Sequence, residues 1–296
     1  MSTAADSTST SPLALLDTHI HLWQRPELEP VGVLRHRLLR QPFWVDALPS
    51  SPDVRVEGFV YVQASAVDIE MCEASSVRML RAAGHPIVGF VAHLQLDDGA
   101  TSSELARLSA VTPLSGVRRV VQGEADRSCC RSSAFLLGAT ELASSGLALD
   151  VLALPDQLSS LAQLACELPQ LRIVVNHLGK PGRPAPEQAW YAGVDLLGSC
   201  PNVYWKLSPP MHTERDAPLS ERWIARVLQT LLDAISPTRL LFASNWPVCT
   251  PLVSFEDWLR HVIAAVGDRH GLAGLHDVLA RNARSVYALS PGGDAG

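Results

Sequence analysis

The stretch "LALLDTHIH", residues 13–21, opens the patterned part of the chain, and its reading decides the fold. It is a short apolar run with little strict alternation, closed by two histidines two residues apart. Runs of this kind suit parallel strands covered on both faces. No G-x-G-x-x-G turn follows it, so a nucleotide-binding, doubly wound open sheet ranks well below a barrel.

Seven more such runs follow: "VEGFVYVQA" (56–64), "IVGFVAHLQL" (87–96), "SGVRRVVQ" (115–122), "LALDVLAL" (147–154), "RIVVNHLG" (172–179), "NVYWKLSP" (202–209) and "RLLFASNWP" (239–247). Most are bounded by Gly, Pro, Ser or Asp, as strands are. Helical spacing fills the intervals. "DIEMCEASSVRMLRAAG" (68–84) has Asp68 as its candidate cap and ends on Gly84. "SSAFLLGATELASSG" (132–146), "PDQLSSLAQLACELP" (155–169) and "ERWIARVLQTLLDAIS" (221–236) follow, the last with Trp223, Val227, Leu231 and Ile235 at every fourth position. Two more patterns, 256–267 and 275–289, come after the eighth run. Eight strand–helix units at this length predict an α/β protein, a single (β/α)8 TIM barrel over 13–289. Residues 25–52 are too long for a plain βα loop and are expected over the barrel mouth as a lid or substrate-shaping insertion. Residues 1–12 and 290–296 read as disordered tails.

The totals agree with this reading. Of 296 residues, 47% are hydrophobic and 18% charged, enough for a large core. A net charge of −6 and no Lys/Arg-rich run argue against a nucleic-acid partner. No apolar run is long enough to span a membrane. The six cysteines include no C-x-x-C pair, which fits a reduced, cytoplasmic setting. A small-molecule substrate is the expected partner.

In a barrel the chemistry collects at the C-terminal ends of the strands. Those ends carry His19 and His21, Gln63, His93, Gln122 with Glu124 beyond it, Asp150, His177, Lys206 and Asn245. Side chains at i and i+2 share one face of a strand, so His19 and His21 both point inward and Ile20 outward. With His177 they make three imidazoles for one divalent ion, zinc or manganese, or a hydrogen-bonded cluster without metal. Lys206 on an apolar strand needs an anionic partner: a substrate, Asp150 or Glu124. Arg118 and Arg119 are adjacent, so one enters the barrel and the other reaches outward. Trp23 and Trp246 are packing residues or platforms for a ring-shaped substrate.

"LLDTHIHLWQ", "VVNHLGKP", "NVYWKLS" and "RLLFASNWPV", with "GVRRVVQGE" (116–124), resemble the amidohydrolase-related proteins of the lactonase branch in order and spacing. That branch includes L-fuconolactonase, L-rhamnonolactonase and 2-pyrone dicarboxylate lactonase. The resemblance implies a distorted barrel of the amidohydrolase type and hydrolysis of a lactone at the strand ends. By position, His19, His21 and His177 match the family's histidines, and Asn245 stands where most members have an aspartate. Members vary in whether they need a metal.

A carboxamide does not take up a proton near neutral pH, so Asn245 is no general base, and it is a weaker metal ligand than a carboxylate. The base is then a histidine, Asp150 or Glu124. The leading expectation is a hydrolase that opens the lactone of a sugar acid or similar small polar ring. His19, His21, His177 and Asn245 form its catalytic group, and Trp23, Gln63, Arg118, Gln122, Asp150, Lys206 and Trp246 bind substrate. The alternatives are an impaired or non-catalytic barrel that binds a ligand or partner, and a metal-dependent decarboxylase of the same superfamily.

Overall fold

The computed structural model describes residues 12–24, 36–64, 70–213 and 215–289. Residues 1–11 and 290–296 of the expected tails, Asp68, and residues 25–35 of the insertion lie outside the described residues. Eight strands run in chain order around one sheet: β1 (Leu13–Ile20), β2 (Val54–Val62), β3 (Ile87–His93), β4 (Gly116–Val120), β5 (Ala148–Leu152), β6 (Ile173–Val175), β7 (Val203–Leu207) and β8 (Leu240–Phe242). Each pairs in parallel with the next. The ring closes through an Ile20–Trp246 bridge, where the His21 amide donates to the Trp246 carbonyl at 2.8 Å. Thr18 Oγ1 donates to the Phe242 carbonyl at 2.7 Å on the same seam.

The helices are α1 (Glu70–Ala82), α2 (Thr101–Ser109), α3 (Ser133–Ser144), α4 (Leu158–Glu167), α5 (Gln188–Gly198), α6 (Glu221–Ala234), α7 (Phe255–His276) and α8 (Asn282–Val286). The 3.6-residue period of α6 is realised as burial of Trp223, Ile224, Val227, Leu228, Leu231 and Leu232, with Ser220 Oγ capping the Trp223 amide. The two C-terminal patterns are joined differently from the expectation. One helix runs through 267–275 with a break at Gly271 (φ 63°, ψ −164°), and a π turn, Asp277–Arg281, leads into α8. Gly271 permits the break because it has no Cβ to clash there.

Two apolar layers result. Most core residues lie between strands and helices. A smaller set, Leu16, Val60, Val62, Val91, Ala148, Val174 and Leu241, packs with Val286 and Tyr287 of the C-terminal segment. These alternate along each strand with the helix-facing set, so they line the interior, and Tyr287 plugs it. Continuing that alternation puts His93, Arg118, Asp150 and Lys206 inside as well.

Strand β1 departs from strict alternation. Leu16 belongs to the interior layer, and a regular strand would then turn His19 outward. The register shows why it does not: Asp17 pairs with Phe59 and Ile20 with Tyr61, three steps on β1 against two on β2. This extra residue is a bulge, which re-aims the side chains beyond it. The Asp17 carboxylate stabilises it, accepting from the His19 amide at 3.1 Å and the Ser244 amide at 2.9 Å. Among the described residues, no helix is long and apolar enough to cross a membrane.

Candidate active site

The i, i+2 spacing of His19 and His21 brings their Nε2 atoms to 3.1 Å. His177, from the exit of β6, stacks obliquely on His19 with ring centroids 4.5 Å apart. All three rings are buried. Burial, with the positive charge of Lys206 next in weight, holds the His19 ring well below its ordinary protonation range. Burial and then Lys180 do the same for His177. Burial and then Arg118 push His21 down to about 3, against a smaller opposing effect of its bond to Val62. The triad is therefore neutral at pH 7.

Neutrality fixes the proton positions. His21 Nδ1 lies 2.7 Å from the Val62 carbonyl, which only accepts, so Nδ1 carries the hydrogen and Nε2 the lone pair. His19 Nε2 must then donate to His21, which makes His19 Nδ1 an acceptor. Lys206 Nζ stands 3.4 Å from that atom and donates to it. A one-way relay runs from Lys206 through His19 and His21 to Val62. The third ring is anchored through Nδ1, 2.9 Å from Ser208 Oγ. Its Nε2 is the one nitrogen of the triad without a hydrogen-bond partner among the described residues.

Lys206 finds a protein partner. Its ammonium donates to Asp150 Oδ2 at 2.5 Å, and both side chains are fully buried. Asp150 also accepts from Asn176 Nδ2 at 3.0 Å and from the Tyr287 hydroxyl at 2.7 Å. Both carboxylate oxygens of Asp150 are thus engaged by protein donors. Glu124 Oε1 pairs with Arg119 at 2.7 Å, and Asp97 pairs with the same guanidinium at 3.2 Å. The adjacent arginines part as expected. Arg119 reaches these outer carboxylates, and Arg118 turns inward to donate to the Gln63 carbonyl. No carboxylate lies within ion-pairing distance of Arg118 among the described residues. Burial holds it down to about 10, with Asp150 and Glu73 opposing, so it remains charged at pH 7.

Gln63 is buried and braces the backbone, its Oε1 accepting from the His93 amide at 2.8 Å. His93 pairs in register with Arg118, and burial brings it down to about 4. Gln122 is half-buried beyond β4, and its side chain makes no hydrogen bond among the described residues. Trp23 is held in an apolar cluster. It is 3% exposed and packs with Leu39, Met211, Val248 and Leu252. Its amide and carbonyl pair with Phe43 at 2.9 and 2.8 Å, which ties the second half of the insertion to the exit of β1. Phe43 packs edge-on against both Trp23 and Trp246.

Asn245 is buried, with a left-handed backbone (φ 57°). Its Nδ2 donates to the Pro209 carbonyl at 3.0 Å. An aspartate there would set a carboxylate oxygen against a carbonyl oxygen. Asn245→Asp is expected to lose about 1–3 kcal/mol of stability and to gain no hydrolytic activity. A thermal melt and a pH-indicator assay check both, and a clear gain in turnover would show that a carboxylate is needed at 245.

The spacing of His19 and His21 suits two nitrogens on one zinc, which at bond lengths of about 2.0–2.1 Å lie about 3.0–3.4 Å apart. The polarity of the donors does not suit it. Ligation through His19 Nε2 requires the hydrogen on Nδ1, facing the Lys206 ammonium held there by Asp150. Asn245 supplies no carboxylate, and no three His, Cys, Asp or Glu side chains are arranged for a metal among the described residues. Asp17, Ser208, Tyr287, Asn176 and Lys180 went unremarked as site residues in the sequence. The Asp17–His19–His21 alternation was a usable signal for the first, and the others are defined by distant partners.

Comparison with known proteins places this geometry. The chain is 30% identical over 196 residues to an L-fucono-1,5-lactonase of Burkholderia multivorans, covering 62% of this chain and 66% of that protein. It is 28% identical over 176 residues to an L-fucono-1,5-lactonase of Burkholderia ambifaria, covering 58% of each. Both curated relatives are matched over less than two thirds of their length. A crystal structure of a Burkholderia multivorans amidohydrolase with bound zinc superposes with a TM-score of 0.80 at 25% identity, over 94% of this chain and 100% of that one. The Amidohydrolase family model matches residues 16–289, and the chain with its eight-stranded barrel and inward imidazoles belongs to the amidohydrolase family.

Proposed function

We propose that this protein is a hydrolase that opens a lactone of a sugar acid or similar small polar ring, without a metal. The observation that carries the reading is the neutral histidine triad with one unpartnered nitrogen, His177 Nε2, in the electrostatic reach of the inward Arg118 guanidinium. The similarity to two L-fucono-1,5-lactonases favours a sugar lactone as the ring.

In this reading Arg118 donates to the ring carbonyl and stabilises the oxyanion that develops on it. His177 Nε2 takes a proton from the attacking water as the new C–O bond forms. Collapse of the tetrahedral species breaks the ring C–O bond, and the leaving ring oxygen recovers that proton from His177. The product is a hydroxy acid, which ionises in solution. Ser208 holds the ring of His177, and the Lys206–His19–His21 relay keeps its neighbours neutral and fixed. In the same reading Trp246, packed edge-on against Phe43, borders the substrate, and the half-buried Gln122 meets its hydroxyls.

The test is acid release from a panel of sugar lactones, including L-fuconolactone, L-rhamnonolactone and D-galactonolactone. Turnover is expected to persist in EDTA and after exhaustive dialysis. Arg118→Met is expected to lower kcat/KM by about a hundredfold or more, the scale of losing one oxyanion donor. No turnover across the panel, with or without added zinc or manganese, would favour a ligand-binding barrel. Turnover that appears only with metal would sink the metal-free assignment.

A further inference from the structure

The turn after β6 has an unusual backbone. His177, Leu178, Gly179 and Lys180 are all left-handed, with φ of 49°, 58°, 67° and 51°. L-residues disfavour this conformation, and three of the four are not glycine. Strain of this kind persists only where the surroundings impose it. Here Leu178 is buried, and its carbonyl accepts from Trp190 Nε1 at 2.7 Å. A Cβ on Gly179 would come within 2.8 Å of the Trp205 ring. The Lys180 amide closes the turn on the His177 carbonyl at 2.8 Å. A turn with three residues per revolution stacks positions i and i+3 on one side. The strained turn therefore sets the side chain of Lys180 beside that of His177, and Lys180 is the charge that bears most on that ring.

Lys180 is 6% exposed. Its ammonium donates to the Met211 carbonyl at 2.8 Å, which leaves two N–H groups without acceptors among the described residues. No carboxylate lies within ion-pairing distance of it there. The nearest in electrostatic reach, Asp216, is already engaged by the His212 amide at 2.7 Å, Thr213 Oγ1 at 3.0 Å and Arg183 at 3.9 Å. The other buried cations contrast with it. Lys206 has Asp150, and Arg119 has Asp97 and Glu124. Arg118, the remaining unpaired one, is already assigned to the ring carbonyl. A buried ammonium without a counter-ion is costly unless one arrives.

We propose that Lys180 is the binding residue for the carboxylate that ring opening creates, so that the site holds a hydroxy acid of the aldonate class through this ammonium beside His177. The assignment rests on the lactonase reading for its chemistry, but its test does not depend on turnover. Attack at the carbonyl next to His177 leaves the new carboxylate at that ring's side, where Lys180 stands.

The test is calorimetric titration of the full chain at pH 7 with L-fuconate, L-rhamnonate and D-galactonate, and with the corresponding alditols as uncharged controls. Lys180→Met is expected to weaken aldonate binding by about tenfold or more, the scale of a lost charge-assisted hydrogen bond, and to leave alditol binding within about twofold. Lys180→Arg, which keeps the charge, is expected to retain most of the affinity. Equal aldonate affinity in wild type and Lys180→Met, or no aldonate binding to wild type at millimolar concentration, overturns the assignment even if lactones are hydrolysed. Lys180-dependent aldonate binding in a protein that hydrolyses nothing keeps the subsite and removes the lactonase reading. If Lys180→Met does not fold, a wild-type crystal soaked in the tightest aldonate decides. A carboxylate oxygen within hydrogen-bond distance of Lys180 Nζ supports the proposal, and a carboxylate placed elsewhere overturns it.

Discussion

Lys206→Met is expected to lower the melting temperature by about 5–8 °C and to abolish most activity. The ammonium and Asp150 are both fully buried, 2.5 Å apart. Removing one member of a buried pair strands the other charge and costs about 3–5 kcal/mol. At about 2.1 cal/mol/K of unfolding entropy per residue, a chain of this length shifts by about 1.6 °C of melting temperature for each kcal/mol. Asp150 would keep Asn176 and Tyr287 as donors, which moderates the loss but leaves its charge unpaired. The same change frees His19 Nδ1 from its donor, so the tautomer relay to His21 is no longer enforced. Adding Asp150→Asn neutralises the stranded partner and is expected to restore part of the stability but not the activity. A single variant that melts within about 2 °C of wild type would show that the pair contributes little, since a coupled buried pair should shift it further.

The second large effect is with pH. Four buried imidazoles, His19, His21, His93 and His177, have folded-state protonation ranges below the ordinary value of 6.5. The unfolded chain therefore binds more protons than the folded one between pH 6.5 and the lowered values, about 3 for His21 and about 4 for His93. Where the unfolded state binds more protons, stability rises with pH. Their contribution is present above pH 6.5 and is lost as pH falls through the window. Each such group costs about 1.4 kcal/mol per pH unit below about 6.5. Asp17 works the other way. Burial raises it to about 6, against the Ser244 and His19 amides and Lys206, so its contribution is present below 3.8 and lost as pH rises toward 6. One carboxyl offsets only part of four imidazoles. Melting curves between pH 7.5 and 5 should shift down by about 10 °C or more, the scale of several kcal/mol at this size. A flat profile over that range would mean that the rings are not neutral in the folded protein.

Some of this was legible along the chain because it depends on near neighbours. The alternation that turns His19 and His21 to one side and Ile20 to the other is local strand geometry, and so is the fourfold spacing that buries one face of α6. Eight apolar runs with helical intervals were enough to predict the barrel. Gly271 shows the limit. The helical pattern in the sequence ends at residue 267, and Gly271 breaks the path in φ and ψ, yet the helix runs on to His276.

The charge assignments were open in the sequence and closed by the fold. Lys206 had three candidate partners, and the choice of Asp150 joins positions 56 residues apart, with Tyr287 a further 137 residues from Asp150. The bulge that turns His19 inward depends on Ser244 reaching Asp17 across the closing seam. Whether Asn245 lacks a carboxylate or fits its place depends on the Pro209 carbonyl on the neighbouring strand exit. By itself the sequence determined the elements, their order and the residues offered at the strand ends, because side-chain periodicity is set within a turn or two of backbone. The tertiary structure decided which of those residues are free to meet a ligand. A buried polar group must find a partner, and only closure of the barrel brings the competing partners within reach.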